Sequence, residues 1–162
     1  MPNIFDPEFD ESSEQEGFAW RRAGLARAAG AERLGASLFE LEPGQAAFPL
    51  HFHLANEELL IVVSGTPSLR SDGEERILEQ GEVVSFPRGE SGAHQVVNRS
   101  EHPVRILMIS EMIAPDIVVR PESGKLSAFG RPPGGRGGGM HEVFFQADSA
   151  PFWDGESPPP KR

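Results

Sequence analysis

The chain has no cysteine in 162 residues, which excludes disulfides, thiolate zinc sites and a cysteine nucleophile. Any metal it binds must be held by nitrogen and oxygen. No apolar run approaches the roughly 18 residues of a membrane helix. The N-terminus also lacks the basic-then-apolar pattern of a secretory signal, so the expectation is a soluble, cytoplasmic protein. Basic residues are few, 15 Lys and Arg against 25 Asp and Glu, and the formal net charge of -10 repels phosphate backbones and anionic lipid surfaces. With no Lys/Arg cluster to offset that charge locally, neither nucleic acid nor membrane is expected as a partner, and a small-molecule ligand is. Helix signals are scarce, the "GLARAAG" stretch at 24–30 offering one or two turns at most. Ser91 lies three residues before His94 but in no G-x-S-x-G elbow, which argues against a serine hydrolase. The glycines of 130–139 have neither a strand leading in nor a helix leading out, which argues against a dinucleotide site.

What is present is an all-β rhythm. Short segments rich in Leu, Ile, Val and Phe are separated by Gly, Pro, Asp and Asn at strand-like intervals. The pattern predicts strands at 34–41, 48–53, 58–64, 68–71, 75–78, 83–86, 94–98, 104–111 and 117–120. Pro43-Gly44, Asp72-Gly73, Gly81 and Pro87-Arg88-Gly89 supply turn chemistry, and "SDGEE" reads as a hairpin. Residues 1–16 carry Asp6, Glu8, Asp10, Glu11, Glu14 and Glu16 with no basic residue, which predicts a solvated arm. Three regions result: an acidic arm and lead-in at 1–31, a β-barrel at 32–120, and a Gly/Pro-rich extension at 121–162. Within the extension, "FFQADSAPFWDGE" is apolar enough to pack back on the barrel and "SPPPKR" reads as a frayed end.

The stretch "PLHFHLANEELLIVVSG" (49–65) holds the chemistry. On a helix, residues two apart point about 200° apart, whereas on a strand they share a face. His51 and His53 on one strand therefore have β-carbons about 6.6 Å apart, and both imidazoles can reach one ion at about 2.1 Å. Glu57 or Glu58 opens the next strand, and only one of the two faces inward. His94 heads a later strand. His102 and His141 have no partner at ligand spacing and read as ordinary polar residues.

The segment "GQAAFPLHFHLANEELLIVVSG" resembles the first cupin motif, G-x5-H-x-H-x3–4-E-x6-G, through Gly44, His51, His53, Glu58 and Gly65, with one extra residue before His51. The six-residue step to Gly65 selects Glu58 over Glu57. "GEVVSFPRGESGAHQVVN" is similar to the second motif, G-x5-P-x-G-x2-H-x3-N, through Gly81, Pro87, Gly89, His94 and Asn98, with two extra residues before His94. The 15-residue separation between the motifs, Thr66 to Gln80, suits a small bacterial single-domain cupin. "RPESGKLSAFG" and "FWDGE" resemble the ends of one poorly characterised branch of that superfamily.

The resemblance implies a jelly-roll, double-stranded β-helix barrel with extended N- and C-terminal arms. It also implies that His51, His53, Glu58 and His94 bind one divalent metal, for which three imidazoles and a carboxylate suit Fe, Mn, Ni, Cu or Zn. The implied function is metal-dependent binding or turnover of a small oxygenated metabolite by dioxygenase, isomerase or lyase chemistry. The alternatives are a non-catalytic small-molecule-binding barrel and a barrel whose metal is structural. Catalytic residues are not identifiable at this stage. Homodimer formation is common in the superfamily, and the apolar ends of this chain offer surface for it.

Overall fold

A computed structural model describes residues 1–130, 139–151 and 154–155. Most of the Gly-rich stretch, Phe152, Trp153 and the terminal "SPPPKR", on which sequence expectations were placed, lie outside the described residues. Thirteen strands are formed among those described: β1 (Glu11–Gln15), β2 (Phe18–Gly24), β3 (Leu34–Leu41), β4 (Phe52–His53), β5 (Glu58–Ser64), β6 (Ser68–Ser71), β7 (Glu74–Ile77), β8 (Val83–Phe86), β9 (His94–Val97), β10 (Val104–Glu111), β11 (Asp116–Arg120), β12 (Lys125–Phe129) and β13 (His141–Phe145). One short helix, α1 (Leu25–Ala28), joins β2 to β3. No helix among the described residues is long and apolar enough to cross a membrane.

Hydrogen bonding gives a six-stranded sheet in the order β1-β2-β3-β10-β5-β8, a four-stranded sheet β13-β12-β11-β4 and a three-stranded sheet β7-β6-β9. The two smaller sheets are joined where His51 bridges His94. His51 N–H donates to the His94 carbonyl at 3.1 Å and His94 N–H donates to the His51 carbonyl at 2.9 Å. The resulting composite sheet faces the six-stranded one, giving a jelly-roll barrel. The core lies between them: Phe39, Leu41, Leu60, Val62, Val104 and Ile106 from one sheet meet Ala47, Leu69 and Val96 from the other, with Leu78 and Phe86 closing the cluster. Each fully buried Leu or Ile here contributes roughly 1.5–3 kcal/mol of transfer free energy.

The strand pattern of the barrel follows its sequence alternation. On β5, Leu60 and Val62 are buried while Leu59 and Ile61 are only half-covered, so the inward set is the one that pairs with the β10 core residues Met108 and Ile106. Gly65 ends β5 with φ +81°, and a Cβ there would meet Val104 Cγ1 at 2.6 Å, which explains why glycine occupies this motif position. On β3, the buried Glu40 sits opposite Arg21 of β2 and Arg105 of β10, and both guanidiniums donate to its carboxylate, Arg105 at 2.8 Å.

The N-terminal segment, expected as a solvated arm, contains a paired strand. β1 pairs antiparallel with β2, placing Glu11 opposite Arg22, and β2 extends the sheet through β3. β1 remains largely exposed, so its acidic residues are solvated as their composition requires, but backbone pairing orders it. Trp20 of β2 anchors the addition, packing edge-on against Phe39 at 5.5 Å. Beyond Arg120, in the Gly/Pro-rich extension, β12 and β13 add to β11 in antiparallel register. Val143, Phe144 and Phe145 on β13 are about half exposed.

Candidate metal centre

Four side chains converge at the junction of the two smaller sheets. His51 and His94 are brought side by side by their reciprocal backbone hydrogen bonds, since residues directly opposite each other in such a pair project to the same face. Their ring centroids are 4.7 Å apart. His53 follows on the same face of β4, its ring 5.3 Å from that of His51. Glu58 opens β5, and its Oε2 lies 3.5 Å from His94 Nε2 and 3.6 Å from His53 Nε2. The donor atoms of His51, His53 and Glu58 all lie within 4.8 Å of one another. His94 is not part of that mutually close trio and joins it through Glu58 and the His51 ring. Glu57, the other carboxylate left open by the sequence, is exposed, with its N–H donating to Glu111 at 3.1 Å.

Each imidazole is oriented by a partner at Nδ1. His51 Nδ1 is 2.8 Å from the Pro49 carbonyl and His94 Nδ1 is 2.9 Å from the Gly92 carbonyl. Both acceptors require a protonated Nδ1, which leaves Nε2 as a lone-pair donor aimed at the cluster. His53 Nδ1 is 2.5 Å from Asp116 Oδ2, while Asp116 Oδ1 accepts the Ala55 N–H at 3.0 Å. Phe86 stacks on the His94 ring at 3.7 Å and 8°, fixing its plane. The two extra residues before His94 have a structural role, because Glu90–Gly92 form a 3₁₀ turn that presents the Gly92 carbonyl to His94. Gly92 is obligatory there: a Cβ would meet the Pro87 carbonyl oxygen at 1.8 Å.

The electrostatics favour neutral rings at His51 and His94 and a charged ring at His53 in the metal-free site. Burial, with the neighbouring His94 and His53, holds the His51 pKa well below its ordinary value. Burial pushes His94 down to about 4. For His53, burial also favours the neutral ring, but the Asp116 hydrogen bond and the charges of Glu58 and Asp116 outweigh it and raise the pKa. Burial raises the pKa of Glu58. Its carboxylate accepts no hydrogen bond among the described residues, its polar neighbours being the two Nε2 atoms beyond hydrogen-bonding range. Two donors each about 2.1 Å from one ion sit about 3.0–3.4 Å apart, depending on coordination geometry. The observed 3.5 and 3.6 Å separations lie just above that range and beyond a direct imidazole–carboxylate hydrogen bond.

Sequence reasoning missed Asp116. Its signal was a carboxylate at the head of an apolar strand, "PDIVVR", where burial without a partner would be costly. Arg120, on the same strand, was also passed over. It is half-buried, and its charge reaches both His51 and His53.

An all-β barrel that brings the donor atoms of His51, His53 and Glu58 within 4.8 Å of one another, with His94 beside them, could hold a divalent transition metal. Residues 37–110, which include His51, His53, Glu58 and His94, match the Cupin domain family, so this stretch of the chain is a cupin domain. A stretch of 85 residues is 33% identical to the tetracenomycin polyketide synthase protein TcmJ of Streptomyces glaucescens, covering 52% of this chain and 52% of that protein. The chain thus spans about half the length of this curated relative. Among solved structures, a candidate sugar phosphate isomerase from Acidithiobacillus ferrooxidans superposes with a TM-score of 0.72 at 25% identity, covering 83% of this chain and 81% of its own. A cupin sugar phosphate isomerase from Silicibacter pomeroyi superposes with a TM-score of 0.77 at 21% identity, covering 92% and 94%.

Proposed function

We propose that the chain is a metal-dependent enzyme for a small oxygenated metabolite, with one divalent ion held by His51, His53, Glu58 and His94. The observation that carries this reading is the arrangement of three imidazoles, each with Nδ1 committed to an acceptor, around a largely covered carboxylate that accepts no hydrogen bond among the described residues. When bound, an ion in such a set acts as a Lewis acid toward a chelating oxygen ligand and acidifies coordinated water, which serves dioxygenase, isomerase or lyase chemistry alike. The chain's own residues do the positioning. Asp116 holds the His53 proton at Nδ1, the Pro49 and Gly92 carbonyls do the same for His51 and His94, and Phe86 keeps water from one face of the His94 ring. A sugar phosphate isomerase and a polyketide synthase protein among the relatives are, by name, concerned with oxygenated small molecules, which supports the substrate class. The same reading includes a homodimer, for which half-exposed Val143, Phe144 and Phe145 offer apolar surface.

Elemental analysis of untagged protein prepared without chelator tests the site. About one divalent transition metal per chain is expected, with a sharp drop in His53→Ala and His94→Ala. Unchanged metal content in both variants would remove the assignment. Metal-replete protein should then convert a member of a small-acid and sugar panel, whereas tight binding without turnover would make the barrel a binding module.

A further inference from the structure

Arg120 has no role in the metal set, yet its placement ties it to the site. The β4–β11 register pairs Val118 with His53 and Val119 with Phe52. Side chains alternate along a strand, so Asp116, Val118 and Arg120 share the face that carries His53. Asp116 confirms that face by contacting His53 directly. Continued by one residue beyond its last observed pair, Val119 with Phe52, the same antiparallel register brings Arg120 opposite His51. On its other side, β12 pairs Val118 with Ser127, and the fully buried Ser127 Oγ accepts from Arg120 Nη1 at 2.5 Å. The guanidinium is thereby anchored on the face of the sheet that carries His53, near enough for its charge to act on His51 and His53.

Its charge is uncompensated. Arg21, Arg22, Arg70, Arg76, Arg99 and Arg105 each meet a carboxylate, whereas Arg120 has no carboxylate partner among the described residues. A guanidinium presents five N–H donors in a planar fork that matches a carboxylate or phosphate edge, and only one of them is used by Ser127. Burying an arginine without a counter-ion is costly, which makes an unpaired one on a site face a candidate for ligand binding. A divalent ion and Arg120 together exceed the charges of Glu58 and Asp116 by one positive unit, so a ligand bearing negative charge completes the balance.

We propose that Arg120 is the anion-binding residue of this site and that the natural ligand carries a carboxylate or phosphate group, docked on the guanidinium beside the ion-binding set of His51, His53, Glu58 and His94. This rests on the metal-site reading above and narrows its substrate class.

The test uses full-length protein loaded with Zn(II) and follows binding by calorimetry with three probes: malonate, inorganic phosphate and imidazole, the last a neutral metal ligand. In Arg120→Gln the zinc content and imidazole affinity are expected to stay within twofold of wild type. Malonate or phosphate affinity is expected to fall about tenfold or more, as loss of a charge-assisted hydrogen-bond pair implies. The probe with the larger loss tells carboxylate from phosphate. Equal anion affinity in wild type and Arg120→Gln, with zinc retained, overturns the assignment of Arg120 and leaves the metal site standing. Failure of wild type to bind zinc instead removes the metal-site reading. If Arg120→Gln does not fold, Arg120→Lys decides: it keeps the charge but loses the fork, so anion affinity intermediate between wild type and no binding supports the proposal, and wild-type affinity for both anions contradicts bidentate docking.

Discussion

Replacing Asp116 with Asn isolates the role of the one carboxylate that orients a proposed ligand without belonging to the set. Asp116 accepts from His53 Nδ1 at 2.5 Å through Oδ2 and from the Ala55 N–H at 3.0 Å through Oδ1. Asparagine fills the same volume but has one carbonyl oxygen and one amide nitrogen, so it can accept from only one of those two buried donors. The other is left facing an N–H, at a cost of about 1–3 kcal/mol. If the amide keeps the Ala55 bond, the His53 ring loses the contact that holds its proton at Nδ1. Loss of such an outer partner typically weakens metal binding 10–100-fold, or about 1.4–2.7 kcal/mol. Competition between the protein and a chromophoric chelator for Zn(II) at pH 7.5 measures the effect, and NMR titration of the metal-free protein supplies a second readout. The pKa of His53 is raised in the wild type despite burial, because Asp116 and Glu58 favour the charged ring. In Asp116→Asn it should move down, since burial then works against a single remaining carboxylate. Zinc affinity within twofold of wild type together with an unmoved His53 titration would refute the claim that Asp116 positions the ligand.

Two further expectations concern the same residues. In the metal-free protein, His94 is held at about 4 in the folded state, below its unfolded value near 6.5, so the unfolded chain binds more protons between those values and stability is lost as pH falls through that window. The His94 contribution to the loss at pH 5 is on the order of 2 kcal/mol, and His51, lowered by burial, acts in the same direction. His53 and Glu58, both with raised pKa values, act the other way, contributing stability that is lost as pH rises through their folded values, but the two strongly lowered imidazoles dominate the window. Urea denaturation of chelator-treated protein should therefore show lower stability at pH 5 than at pH 6.5, and a flat or opposite trend would count against buried neutral imidazoles. Gly92→Ala should distort the turn that presents a carbonyl to His94, because the new Cβ would fall 1.8 Å from the Pro87 oxygen. Zinc affinity should fall at least tenfold while circular dichroism stays β-rich, and wild-type affinity would show that the turn is not needed to orient His94.

The barrel strands were legible because each has one face in the core, and burial on one face leaves an alternating pattern that turn residues then punctuate. β3, β5, β6, β8 and β10 have the bounds read from the sequence. β1 and β12 have no such pattern. β1 is almost wholly exposed and is held by backbone pairing and by β2, so its composition looks like that of a free arm. The segment before β4 was read as a longer strand, but only Phe52–His53 is regular, with His51 attached through an isolated bridge. That bridge still puts both histidines on one face, which is why the site could be anticipated from a period of two residues. Glu58 rather than Glu57 was chosen from motif spacing, and the structure places Glu58 beside the imidazoles and Glu57 in solvent. Asp116, for all its position at the head of an apolar strand, and Arg120 could not be tied to the site from sequence, because their relation to His53 and His51 depends on the pairing of β4 with β11, more than 60 residues apart, and no local pattern encodes that register.

X-ray absorption at the zinc edge, combined with anomalous diffraction from the same Zn(II)-loaded protein, asks most directly whether these four side chains form one centre. The account predicts one ion per chain with three imidazole nitrogens and one carboxylate oxygen at about 2.0–2.2 Å, contributed by His51, His53, His94 and Glu58. An ion seated instead at the exposed His102 or His141, or a shell with fewer than three imidazoles, would contradict it.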